Sequence, residues 1–200
     1  MPPGPTKLKK WRLLKGEDIS PSKWFSLEKR AYQLPNGKII DDFLVTTIQD
    51  VGMVVAVTTD KLVVMVRQFK PGFGDMTIEF PTGRLESSSD DPKEKAIREL
   101  EEETGIKTDS LEYFATLAGF VTKGTEKVYC YFAKEVSFNS VQHLDETEEI
   151  EVLTLSPQEI EELIITNQIS TAVTIAAWTV AKRKYSEFFA ATSEVAERPN

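Results

Sequence analysis

The pattern of apolar and polar positions divides this chain into an early β-rich stretch, one strongly charged helix, further strands and a helical end. Trp24–Leu34 and Lys38–Ile48 are two β-like runs joined by Pro35-Asn-Gly37, whose residues fit a tight turn. Val51–Thr58 and Leu62–Phe69 make a second pair across Thr59-Asp60-Lys61, rich in the branched and aromatic side chains that half-buried strands favour. Lys70–Asp75 is a Pro/Gly loop, and Met76–Pro81 returns as a strand. Leu111–Leu117 and Lys127–Val136 are two more strands, separated by the polar loop Thr122–Glu126. An acidic loop, His143–Glu149, leads to the strand Ile150–Leu155, and Ser156-Pro157 opens a short helix ending near Ile165. Ser170–Phe189 predicts the longest helix, with Ala172, Val173, Ala176, Ala177 and Val180 on its apolar face. Residues 1–20, rich in Pro, Gly and Lys, read as an irregular arm pinned by Trp11, followed by an N-terminal β-hairpin over 21–50 and a main domain over 51–190. The fold class expected is α+β, a mixed sheet between helices.

The charged helix begins after Asp91, whose carboxylate can accept from the free amides of the first turn, with Pro92 at the position that needs no amide hydrogen. Gly105 suits the left-handed residue that ends a helix. Ala96, Ile97, Leu100 and then Ile106 form its inner face. Glu99, Glu102 and Glu103 stand at i, i+3 and i+4, so three carboxylates leave one side of the helix, near the end where the dipole prefers cations. Lys95 and Arg98 offset part of this repulsion by pairing at i+4 with Glu99 and Glu102. The arrangement reads either as a solvated acidic face or as a set of hard oxygen ligands for Mg²⁺ or Mn²⁺.

The surrounding residues favour the second reading. Arg98-Glu-Leu-Glu-Glu-Glu-Thr-Gly-Ile106 resembles the core of the Nudix box, REUxEExGU with U aliphatic, and matches at every fixed position. Gly83 precedes it through a loop. The full pattern would place a glutamate seven residues before Arg98; here that residue is Asp90, and the loop from Gly83 is one residue longer. In the family this position braces the loop, often through the box arginine, so Gly83, Asp90, Arg98 and Gly105 are the structural residues of the box.

The resemblance implies an α/β/α sandwich with N-terminal antiparallel strands, with 51–190 as the Nudix hydrolase domain and 21–50 serving dimerisation and base binding. Val66-Arg-Gln-Phe-Lys70 and Glu79-Phe-Pro-Thr-Gly83 are similar to segments of the ADP-ribose and nucleotide-sugar pyrophosphatases, and Glu146-Thr-Glu-Glu-Ile-Glu-Val152 to their acidic loop. Residue by residue, the resemblance makes Glu99, Glu102 and Glu103 ligands of Mg²⁺ or Mn²⁺, with the backbone carbonyl of Thr82. Glu148, or else Glu146, would be the catalytic base, and Glu103 joins them as a catalytic candidate. Arg67, Arg84 and Glu79 would contact substrate, although a surface arginine at a strand edge is the plain alternative for Arg67. Trp24 would stack on the nucleobase unless it is simply core. The activity implied is metal-dependent hydrolysis of the pyrophosphate of ADP-ribose or a related nucleoside diphosphate sugar, giving AMP and a sugar phosphate, by a homodimer. The alternatives are another Nudix specificity, such as GDP-mannose or a dinucleoside polyphosphate, and a catalytically silent nucleotide-binding module, which would be expected to lack one of the box glutamates.

Composition narrows the partners. Two hundred residues suit a domain with a real core, and a net charge of −8 argues against a nucleic-acid partner. An anionic substrate would also be repelled unless cations intervened. The single cysteine, Cys130, reads as a small buried hydrophobe and permits no disulfide within the chain. No run of about 18 apolar residues predicts a membrane span. The N-terminal lysines precede no apolar segment of the secretory kind, so the expected location is cytoplasmic.

Overall fold

The computed structural model describes residues 8–22, 25–87 and 89–189. Its first strand corrects the expectation of an irregular arm over 1–20. Arg12–Asp18 (β1) pairs antiparallel with Leu27–Gln33 (β2), which pairs with Ile39–Thr46 (β3). Every residue of β1 is exposed, so no in–out alternation marks it, and its order comes from the backbone ladder. Trp11 does pin the segment: its ring meets Tyr32 and Phe43 edge-on, each with centroids 6.0 Å away. The hairpin expected over 21–50 is β2–β3 with tighter bounds, turned at Gly37 with φ 87°. This three-stranded sheet and Phe120–Glu126 form one compact unit, in which the Thr46 amide donates to the Lys123 carbonyl at 2.7 Å. Trp24 lies outside the described residues.

Gln49–Gly119 and the residues from Lys127 form the second unit. Its strands are Val51–Thr58 (β4), Val63–Lys70 (β5), Asp75–Glu79 (β6), Thr82–Arg84 (β7), Glu112–Leu117 (β8), Val128–Val136 (β9) and Ile150–Leu155 (β10). They make one sheet of order β10-β5-β4-β9-β8, with β6 added to β5 and β7 to β4. Parallel pairing of β4 with β9 makes it the mixed sheet expected. Pro92–Thr104 (α1) covers one face, where Ala96, Leu100 and Ile106 pack on Val54, Ala56 and Val64. Pro157–Ile165 (α2), Ala172–Lys184 (α3) and Ser186–Phe189 (α4) supply the other face, with Ile160, Trp178 and Phe189 in one cluster with Met53, Val55 and Met65. Both faces of β4 and β5 are therefore buried, which explains their unbroken apolar runs. Cys130 is buried among them, and burial pushes its thiol up to about 12.

The single helix expected over Ser170–Phe189 is two. Tyr185 leaves the helical region (φ −120°, ψ 40°), where its ring stacks on Phe132 at 3.9 Å and its hydroxyl donates to Glu112 at 2.8 Å. α3 is 13 residues long, no longer than α1. Its buried residues are Thr174, Ala177, Trp178 and Ala181, whereas Ala172 and Val180 are exposed. Trp178 sets this rotation by burying its large ring while its indole nitrogen donates to Glu161 at 2.6 Å.

Candidate active site

α1 is fixed at both ends as its sequence requires. The Asp91 carboxylate accepts from the Lys93 amide at 2.8 Å, Pro92 opens the helix, and Gly105 ends it at φ 72°. Two glycines let the helix approach the sheet. A Cβ on Gly52 would stand 2.6 Å from the Pro92 carbonyl oxygen and 2.9 Å from Ala96 Cβ. One on Gly83, opposite Gly52 across the β4–β7 ladder, would stand 1.8 Å from Glu99 Cγ. The Glu99 side chain thus lies against bare backbone. Gly83→Ala is expected to displace it and to lower kcat by ~10²-fold, the scale of a misplacement of about 1 Å, with the helix signal by circular dichroism unchanged.

Asp90 braces the loop before α1 directly, accepting from the amides of Glu86 at 2.8 Å and Ser87 at 2.9 Å. The Ser87 and Glu86 hydrogen bonds, with the nearby Arg98 charge, hold its carboxyl below the ordinary value. The shorter aspartate closes the longer loop by caging two of its amides.

The carboxylates on α1 differ sharply in environment. Glu103 is 4% exposed and accepts from the Thr82 amide at 3.1 Å. Burial first, then the charges of Glu99 and Glu148, push its carboxyl up to about 8, against the pull of the Thr82 amide and of Lys70. Glu99 is paired with Lys95 at 2.6 Å, as the i+4 spacing suggested. Glu102 is exposed. Thr82 turns its hydroxyl back to the Phe80 carbonyl at 2.7 Å. Glu148 sits in a turn, its amide donating to the Asp145 carbonyl at 2.9 Å and its carboxylate accepting from the Asp145 amide at 3.1 Å. Glu146 is exposed in the same turn.

Register decides which other candidates join this cluster. Val66 pairs with both Glu79 and Val152, and Val152 packs on the α1 side, so Glu79 belongs to the α1 face. It is paired with Lys70 at 3.4 Å, and Lys70 shares its parity along β5. Lys70 is thus the cation that the sequence reading left without a role. Arg67 is not brought to the cluster. It pairs across β5 with Ile78 and Glu151 on the α2–α3 face, its guanidinium 2.7 Å from Glu151. Arg84 is exposed and opposite Val51, again on that face, which packs away from α1.

Among the described residues no three acidic, imidazole or thiol groups already surround a point where an ion would sit. The donor chemistry nonetheless fits a hard divalent cation. Burial and the charges of Glu99 and Glu148 disfavour the ionised Glu103 carboxylate, a penalty that a bound cation would relieve, and the Glu99 oxygens are held by a displaceable ammonium.

A family model of the NUDIX domain matches residues 47–175. The chain belongs to the Nudix family. It is a Nudix hydrolase, and α1 carries the residues that resemble the box. It is 32% identical over 175 residues to the methanol dehydrogenase activator of Bacillus methanolicus, covering 86% of this chain and 92% of that one. Identity to the ADP-ribose pyrophosphatase of Bacillus subtilis (strain 168) is 33% over 162 residues, or 79% and 85% of the two chains. The mouse (Mus musculus) ADP-sugar pyrophosphatase is 38% identical over 106 residues, 48% of each chain. A crystal structure described as an ADP compounds hydrolase superposes with a TM-score of 0.78 over 92% of this chain and 98% of its own, at 19% identity, which supports the Nudix fold.

Proposed function

We propose that this Nudix hydrolase cleaves the pyrophosphate of ADP-ribose or a closely related ADP-sugar, releasing AMP and a sugar phosphate. The observation that carries the reading is the buried Glu103 carboxylate, set against Glu99 and within the field of Glu148, in a chain similar over most of its length to an ADP-ribose pyrophosphatase. Glu99, Glu102 and Glu103, with the Thr82 carbonyl, would hold Mg²⁺ or Mn²⁺. Such an ion supplies positive charge against the phosphate oxygens and activates water for attack. Glu148 takes the proton of the attacking water, with Glu146 as the alternative base. Lys70 contacts a phosphate once released from Glu79, a role for which its position is better suited than that of Arg67 or Arg84. Gly83 keeps Glu99 against the sheet, and Asp90 fixes the loop that leads into α1.

The protein works as a cytoplasmic homodimer joined through its N-terminal sheet. Ile39 and Leu44 of that sheet, opposite Gln33 and Lys29 on one face, are 57% and 42% exposed, apolar positions suited to a second copy. The nucleobase stacks on an aromatic of the same segment, with Trp24 as first candidate.

A panel of ADP-ribose, ADP-glucose, GDP-mannose, diadenosine polyphosphates and NADH, incubated with Mg²⁺ or Mn²⁺ and resolved by chromatography, tests this reading. AMP plus ribose 5-phosphate, formed fastest from ADP-ribose, is expected. Faster cleavage of GDP-mannose or a dinucleoside polyphosphate would move the assignment to another Nudix specificity, and no turnover of any member would leave a binding module.

A further inference from the structure

The last turn of α1 has no basic residue, yet its free carbonyls are met by one short segment. The Gly105 amide takes the Glu101 carbonyl at 2.8 Å, as a helix end commonly does. The remaining donors come from Asn139–His143. The His143 amide donates to the Glu102 carbonyl at 2.8 Å, and the Ser140 amide to the Gly105 carbonyl at 2.9 Å. Asn139 exchanges two hydrogen bonds with the backbone of Lys107, at 2.8 and 3.1 Å. Between them stands Gln142, whose side-chain nitrogen donates to the Glu103 carbonyl at 2.8 Å and to the Ile150 carbonyl at 3.1 Å.

That one amide group uses both hydrogens to tie two different elements. Glu103 carries the buried carboxylate of the site, and Ile150 is the first residue of β10. The segment His143–Glu149 leaves from the first contact and returns at the second, so Gln142 closes the base of the loop that bears Glu146 and Glu148. We infer that Gln142 is a positioning residue for pyrophosphate hydrolysis: it fastens the acidic loop to the end of α1 and so sets Glu148 relative to Glu103. This inference rests on Glu148 being the base.

Gln142→Leu and Gln142→Glu both remove the donor, the second at constant size. Each is expected to lower kcat by roughly tenfold with KM nearly unchanged, since it displaces a reacting group and leaves the substrate contacts. Hydrogen exchange of the unliganded protein gives a reading free of catalysis. Amides of residues 143–149 should exchange roughly tenfold faster in both variants while the first turns of α1 keep their protection. Wild-type exchange together with wild-type kcat overturns the clamp. Faster exchange with unchanged kcat overturns the positioning role. Glu148→Gln run beside them separates the two levels: if it is inactive while the Gln142 variants are fully active, the positioning inference alone has failed. If Glu148→Gln keeps full activity, the base assignment has failed, and Gln142 with it as a setter of Glu148.

Discussion

Glu103→Gln is expected to lower turnover by ~10³-fold or more, about 4 kcal/mol of transition-state charge stabilisation, and at the same time to make the metal-free protein more stable at pH 8. The two effects have one origin. The wild-type carboxyl is raised in the folded protein from 4.5 to about 8, chiefly by burial and then by Glu99. Between those values the folded state holds a proton that the unfolded chain has lost, so stability falls as pH rises through this window and levels off above about 8. The loss is on the order of a few kcal/mol. A neutral glutamine escapes it. Thermal unfolding with EDTA from pH 5 to pH 9 should show the wild type declining and the variant nearly flat, with Mg²⁺ restoring only the wild type. Parallel curves for the two proteins would mean that Glu103 is not the strained group, and an active variant would sink its assignment as a ligand.

Glu148→Gln is expected to lower kcat by ~10²–10⁴-fold, the usual worth of a positioned general base. Thermal stability should hardly change, because the residue is exposed and, among the described residues, its carboxylate accepts from the Asp145 amide in a turn that glutamine can also close. Glu146→Gln is the comparison. Should that variant carry the large loss and Glu148→Gln a small one, the base is Glu146.

The box helix could be read from the chain because its information is local. Asp91, Pro92, Gly105 and the spacing of Ala96, Leu100 and the glutamates each act over four residues or fewer. Arg67 shows what local information lacks. The run Val63–Val66 is buried on both faces, so no alternation tells which way the next side chains point. Only the pairing of Val66 with Glu79 and of Arg67 with Ile78 separates Glu79 and Lys70 from Arg67. Gln142 was beyond reach for a related reason, since its partner Glu103 lies 39 residues away. β1 failed in the opposite way, exposed throughout and therefore without any pattern. The C-terminal helix breaks where Tyr185 stacks on Phe132 and donates to Glu112, long-range contacts that periodicity does not encode.

The donors that close the end of α1 are a glutamine amide and backbone amides, all of them neutral. Lysine or arginine would have met the same carbonyls and also balanced the negative pole of the helix. With uncharged caps the negative pole of the helix adds to the field of Glu102 and Glu103, the nearby Lys107 ammonium being held by Glu101 at 3.3 Å. A divalent ion held there as proposed would compete with protons for the same place, so its apparent affinity is expected to weaken as the medium turns acidic and as monovalent salt screens the field.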